Sequence, residues 1–170
     1  MAPPSARGYR ASVPVAVGDP GDDPAQPPPK PDAAQAREEW QACIDVLAER
    51  GIIDPGALGY WGISMGAALG IALLAAEPRV RCATIGLMHN RYYDQILADA
   101  ARIRCPVLFL LQWDDERVPR AEAFDLFDAI ASPDKRLHAH PGGHGEMQQE
   151  AITASEHFLA AYLTSGEFKA

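Results

Sequence analysis

From residue 32 onward, the apolar residues of this 170-residue chain fall into two recurring patterns. One is a recurrence at every third or fourth position, as on a helix face; the other is a short, nearly unbroken run of strand length. Trp40, Cys43, Ile44 and Leu47 recur at helical spacing. Ahead of them, Asp32 followed by Gln35 resembles a capping box, and Gly51 closes the predicted helix. Residues 58–63 then read as a strand and residues 67–76 as an apolar helix that Pro78 stops. Residues 80–88 read as a second strand and residues 90–103 as a helix, and residues 106–111 are continuously apolar. Such a run suits a parallel strand buried on both faces. A helix over 119–131 is expected to turn Phe124, Phe127 and Ile130 inward. A short strand over 136–140 and an amphipathic helix over 146–163 complete the chain, the helix with Ile152, Leu159 and Leu163 inward. Strands alternating with helices over short connections predict an α/β fold, a three-layer sandwich around a mostly parallel sheet.

The first 31 residues break with this pattern. They hold nine of the fifteen prolines, including Pro27-Pro28-Pro29, and can build neither a helix nor an interior strand. Only residues 12–17 have strand character, and Pro14 limits them to an edge. Two parts are therefore expected: a Pro-rich, extended or poorly ordered segment over 1–31 and one α/β domain over 32–170. A hydrophobic content of 48% suffices for a single core. The net charge of −8 excludes nucleic acid and an anionic membrane surface as partners. Cys43, Cys82 and Cys105 are odd in number and set in apolar stretches, which predicts buried, reduced thiols rather than a disulfide framework or a metal site. Residues 1–10 lack the apolar core of a signal peptide, and no segment reaches membrane-span length, so a cytoplasmic location is expected.

Gly62-Ile63-Ser64-Met65-Gly66 places a serine between glycines at G-x-S-x-G spacing, with a predicted strand entering and a helix leaving. On so sharp a turn, side chains at positions 62 and 66 are expected to collide, which explains both glycines. The turn would lift the Ser64 hydroxyl above the sheet and aim the Met65 N–H at the same spot, as an oxyanion donor at the positive end of a helix. Two other strand ends carry reactive residues. Asp114 and Asp115 follow the apolar run, and His144 follows the last strand within Pro-Gly-Gly-His-Gly. Taken singly, Asp115 suits a helix-entry cap and His144 an exposed loop. Taken together they suit nucleophilic catalysis, in which imidazole accepts the serine proton and a carboxylate orients the imidazole. Spacing alone leaves Asp114 and Asp115 in competition. His138 and His140 alternate onto one face of the last strand, short of its end, and read as structural.

With these motifs in order, the chain resembles an α/β-hydrolase of the uncapped dienelactone-hydrolase and prolyl-oligopeptidase-like branch. The carrying residues are Gly62 to Gly66, Asp115-Glu116-Arg117-Val118-Pro119 and Gly142-Gly143-His144-Gly145, within about residues 33–165. In that family the aspartate is commonly separated by two residues from a following Val-Pro, and the resemblance selects Asp115. It implies hydrolysis of a small-molecule carboxylic ester through an acyl-enzyme on Ser64, with His144 as base and Asp115 as orienter. No metal or cofactor is required. Serine favours general ester chemistry, because enzymes named for dienelactone hydrolysis use cysteine. Gln112 stands where many relatives have glycine.

The other departure lies upstream. The family's earlier strands and the loop donating a second oxyanion N–H have no counterpart in residues 1–31, and losing one such donor costs on the order of 10² to 10³ in turnover. The strand before Ser64 would then be an exposed apolar edge. Two expectations follow: a truncated hydrolase, or a homo-oligomer that completes the sheet through that edge. The competing functional reading is a non-catalytic α/β-hydrolase module serving in protein association.

Overall fold

The structure, a computed structural model, describes residues 32–164. The expectations for residues 1–31 lie outside the described residues. Helix α1 (Ala33–Glu49) begins and ends as local chemistry dictates. Asp32 Oδ1 accepts from Ala34 N at 2.8 Å and from Gln35 N at 3.3 Å, so the aspartate half of the capping box forms. Gln35 Nε2 donates instead to Glu39 Oε1. At the other end, Gly51 takes φ +65°, its N–H donates to Ala48 O, and Ile52 N donates to Leu47 O. This pair of bonds is a Schellman cap, which glycine permits because it lacks a Cβ.

Four strands follow: β1 (Leu58–Ile63), β2 (Val80–Gly86), β3 (Val107–Gln112) and β4 (Lys135–His140). They form one sheet in the order β1-β2-β3-β4, every pair parallel. The connecting helices are α2 (Met65–Leu74), α3 (Ile96–Ala100) and α4 (Arg120–Ala129), and α5 (Gln149–Thr164) follows β4. Side-chain alternation along the strands divides the core. Ala83, Ile85, Val107, Phe109 and Leu111 pack with α2 and α4, whereas Cys82, Leu108 and Leu110 meet Ala151 and Phe158 of α5. The sheet is thus sandwiched between helices, and every residue of β3 is buried. Helix α2 is buried from Ala67 to Leu74, under α1 through the contacts of Ala33 with Leu69 and Ala72.

Two expectations need correction. Residues 90–95 are turns, because Asn90 bonds Asp125 and Arg91 pairs with Glu122, both partners lying on α4; the helix is held to Ile96–Ala100. On α4, Phe124 and Phe127 pack against the core and Ile130 is buried, as expected, beside the fully buried Ala123 and Leu126. On α5, Leu159 and Leu163 pack inward as expected, beside the fully buried Ala151, Ser155 and Phe158, and Ile152 is half-buried. Cys82 is buried and Cys105 half-buried, but Cys43 is exposed on α1, whose packed side is carried by Ala33 and Trp40 against α2 and Tyr60. Burial pushes the Cys82 thiol up to about 12 and that of Cys105 up to about 11. Among the described residues β1 is an outer strand, and its Trp61 is 43% exposed. No helix among them is long and apolar enough to cross a membrane.

One buried charge ties α1 to the turn after α2. Glu77, 3% exposed, accepts from Arg79 Nε and Nη2 at 2.6 Å each, and Arg79 Nη1 reaches Asp45 Oδ1 at 2.6 Å. The Arg79 hydrogen bonds hold the Glu77 carboxyl below its ordinary value. A depressed folded-state pKa supplies stability above the unfolded value and loses it as the pH falls through the folded one. Glu77→Gln is expected to lower stability by about 1–2 kcal/mol at neutral pH. Urea midpoints should show that gap unchanged down to the ordinary glutamate range and closing only below it.

Candidate active site

The strand β1 delivers Ser64 into a left-handed turn, at φ 53° and ψ −123°. A non-glycine residue avoids that region, so the turn must be braced from outside. Ser64 N donates to Gly86 O of β2 at 2.9 Å, and Ser64 O receives Ala68 N at 3.1 Å, which starts α2. Beneath the turn, Tyr60 OH donates to Gly66 O at 2.6 Å, and burial raises the phenol pKa. A Cβ at Gly62 would lie 2.7 Å from Tyr60 Oη and 2.9 Å from the Gly66 carbonyl carbon, so glycine there is required. At Gly66 a Cβ would meet nothing within 4 Å, which corrects the expected collision at that position. The ring of Tyr60 instead occupies the space above Gly70, where a Cβ would come within 2.2 Å of Cε1.

Ser64 makes no side-chain cap to α2; its Oγ lies 2.8 Å from His144 Nε2. His144 Nδ1 lies 2.8 Å from Asp115 Oδ2. The other Asp115 oxygen accepts from Arg117 N at 2.9 Å and Val118 N at 3.0 Å, and the side chain is only 2% exposed. An ionised carboxylate can only accept, so the hydrogen on imidazole belongs on Nδ1 and the Nε2 lone pair faces the serine hydroxyl. The turn amides that cap Asp115 are the reason for its place in this line: they seat the carboxylate after β3 with Oδ2 turned toward His144. Asp114 points elsewhere, its Oδ2 accepting from Gly142 N at 3.3 Å. His138 and His140 share a face of β4 with ring centroids 4.4 Å apart, and Ser64 bonds neither.

Several contributors escaped the sequence reading. Gln112, buried at the end of β3, donates from Nε2 to Gly143 O at 3.4 Å and so tethers the His144 loop. Glu116 accepts the His144 N–H and Glu146 the Gly143 N–H. The hydrogen bond from His144 N holds the Glu116 carboxyl below its ordinary value. The bonds of Gln112 and Glu116 join residues 31 and 28 positions apart, beyond any local spacing, whereas Glu146 lies three residues from Gly143. The Met65 N–H opens α2, where the first amides of a helix lack internal acceptors. The second oxyanion donor that the resemblance implies has no counterpart in the sequence of residues 1–31, which lie outside the described residues. No group of three or more His, Cys, Asp or Glu among the described residues is placed to hold a metal ion.

The sequence profile of the dienelactone hydrolase family matches residues 27–163. The chain belongs to the dienelactone hydrolase family. A cold-adapted esterase from an Arctic intertidal metagenomic library is similar to it in structure, with TM-score 0.71 and 32% identity over 77% of this chain and 59% of that one. The acetyl xylan esterase of Paenibacillus sp. R4 shares the fold at TM-score 0.65 and 20% identity, over 76% of this chain and 52% of its own. An uncharacterized protein of Mycobacterium tuberculosis is 29% identical over 75% of this chain and 50% of its own length. The chain thus spans about half the length of the curated relatives it matches.

The two elbow glycines make a direct test of the steric account. Gly62→Ala forces its Cβ onto Tyr60 and the Gly66 backbone, an overpacking cost of about 1–3 kcal/mol. Gly66→Ala has free space inside the first turn of α2 and should be neutral or slightly stabilising. Thermal melts of the two variants should therefore separate, with only Gly62→Ala shifted down.

Proposed function

We propose that this family member is a serine hydrolase that cleaves carboxylic esters of small acyl groups through an acyl-enzyme on Ser64. The observation that carries the reading is the unbroken line from Ser64 Oγ through His144 to Asp115, both links 2.8 Å, ending on a serine in a left-handed turn. The esterase neighbour at 32% identity supports the same class of reaction.

In the reaction, Ser64 Oγ attacks the ester carbonyl carbon while its proton moves to His144 Nε2. Asp115 Oδ2 holds the ring in place and stabilises the imidazolium that results. The Met65 N–H donates to the oxyanion as the tetrahedral intermediate forms. Collapse breaks the C–O bond to the alcohol, which leaves with the His144 proton. Water then enters, gives its proton to His144 and attacks the acyl carbon. A second collapse frees the carboxylic acid and returns the proton to Ser64. No cofactor enters the cycle. Access favours small or exposed esters: between β2 and β3 the only helix is α3, five residues long, and Met65 beside the nucleophile is 40% exposed.

Labelling with a fluorophosphonate probe and turnover of p-nitrophenyl acetate test the reading together. The wild type should be labelled and Ser64→Ala should not, and Asp115→Asn should lose about 10⁴ in kcat by stabilising the wrong tautomer. A wild-type chain that neither reacts with the probe nor turns over the ester removes the catalytic reading and leaves the association module.

A further inference from the structure

The loop that carries His144 has an uncommon hydrogen-bond pattern. Three successive backbone N–H groups each donate to a different carboxylate. Gly142 N reaches Asp114 Oδ2 at 3.3 Å, Gly143 N reaches Glu146 Oε2 at 2.8 Å, and His144 N reaches Glu116 Oε2 at 3.0 Å. Consecutive amides of this kind form a concavity that commonly takes an external anion. Here the chain supplies the negative oxygens itself, from the segments after β3 and before α5. The two glycines make room for them. Gly142 takes φ +123°, and a Cβ at Gly143 would stand 3.0 Å from Glu116 Oε2.

These bonds carry structural consequence because the loop has left the sheet. The ladder between β3 and β4 closes with Trp113 N on His140 O at 2.7 Å, and Asp114 N then donates to Gly142 O at 3.1 Å. Beyond that point the amides of residues 143 and 144 have no strand to bond; at this exposed place water could satisfy them but could not fix their direction, which the carboxylates do. Linkage runs both ways: the loop keeps Glu116 ionised, and the ionised Glu116 keeps the loop folded. Arg117 Nε stands 3.6 Å from the other Glu116 oxygen and adds to the same effect.

We propose that Glu116 and Glu146, with Asp114, are positioning residues that fix the backbone of residues 142–144 so that the His144 ring spans Ser64 and Asp115. The proposal rests on the nucleophile reading above for its effect on turnover, but not for its effect on the loop. The test is run on the full chain. Amide hydrogen exchange at residues 142–144, and kcat and KM for p-nitrophenyl acetate, are compared among the wild type, Glu116→Ala, Glu116→Asp, Glu116→Gln and Glu146→Ala. Each alanine variant should speed exchange at the amide its carboxylate covered by about tenfold and lower kcat by about tenfold, with KM within roughly twofold. Glu116→Gln keeps an acceptor of the same reach without the charge and should fall between the wild type and alanine in both. Glu116→Asp keeps the charge but falls short of His144 N, and should behave like alanine. Unchanged protection of β2 and β3 marks a variant as folded. Wild-type exchange at Gly143 and His144 in the alanine variants overturns the proposal, as does an aspartate variant that matches glutamate. A wild-type chain without turnover refutes the nucleophile reading alone, and the exchange rates then decide the loop.

Discussion

A single backbone torsion organises this molecule: the φ of 53° at Ser64. A side-chain-bearing residue in that region costs about 1–3 kcal/mol and persists only where its surroundings leave it no alternative. Here the surroundings are Gly86 O on one side, the first turn of α2 on another and the Tyr60 hydroxyl beneath. Tyr60 is 8% exposed, so a phenol that released Gly66 O would be left buried without an acceptor. Gly62 and Gly70 are the clearances its ring needs. Strand, turn and helix are therefore one unit, in which loosening any part relaxes the serine.

The brace at Gly86 reaches further into the sheet. A Cβ there would stand 2.2 Å from Leu110 O, so β2 and β3 approach more closely than side chains would allow. Directly after it, Leu87 takes φ 53° as well, 2% exposed and bonded through its N–H to Leu110 O at 3.0 Å. Two left-handed residues thus sit at adjacent strand ends, both anchored to the carbonyls of a neighbouring strand. Such strain is tolerable because β3, buried along its whole length, sets the geometry that both must follow.

The parts legible in the sequence are those whose causes are local. The ends of α1 follow from Asp32 and Gly51 within a few residues. The elbow follows from glycines spaced around one serine, although the reason differs between them: Gly62 answers to Tyr60, whereas Gly66 has open space. Parallel pairing follows from the alternation of elements, whereas the order β1-β2-β3-β4 has no such local signal. Less legible was whatever distant partners decide. Asp114 and Asp115 are equivalent by position, and the residues alone left the choice open; the amides of Arg117 and Val118 separate them in space. The late start of α3 depends on bonds to α4, 31 and 35 residues away. The buried faces of α4 and α5 depend on which strands they cover, and small residues such as Ala123 and Ala151 make the closest contact. Phe124 and Phe127 do face the core, but hydrophobicity alone does not single out the small residue Ala123 as fully buried beside them.

The acids around His144 follow from the same geometry. Ser64 rises from β1 and His144 follows β4, the two outer strands of the four among the described residues. Neighbouring strands lie about 4.8 Å apart, so these strands are separated by about 14 Å. The imidazole nevertheless stands 2.8 Å from the serine oxygen. The chain after His140 must therefore run sideways over the carboxyl ends of β3 and β2, and a backbone running across a sheet has no ladder to join. Its carbonyls can face water, but its orientation cannot be left to water if one ring is to meet two partners at 2.8 Å each. Side chains of residues 112–116, which already stand along the path at the end of β3, are the groups able to hold it. Gln112 takes a carbonyl, Asp114 and Glu116 take amides, and Asp115 takes the ring. One short stretch after a central strand thus serves as both the orienter of the imidazole and the rail for its loop, which is why polar residues cluster where the apolar run ends.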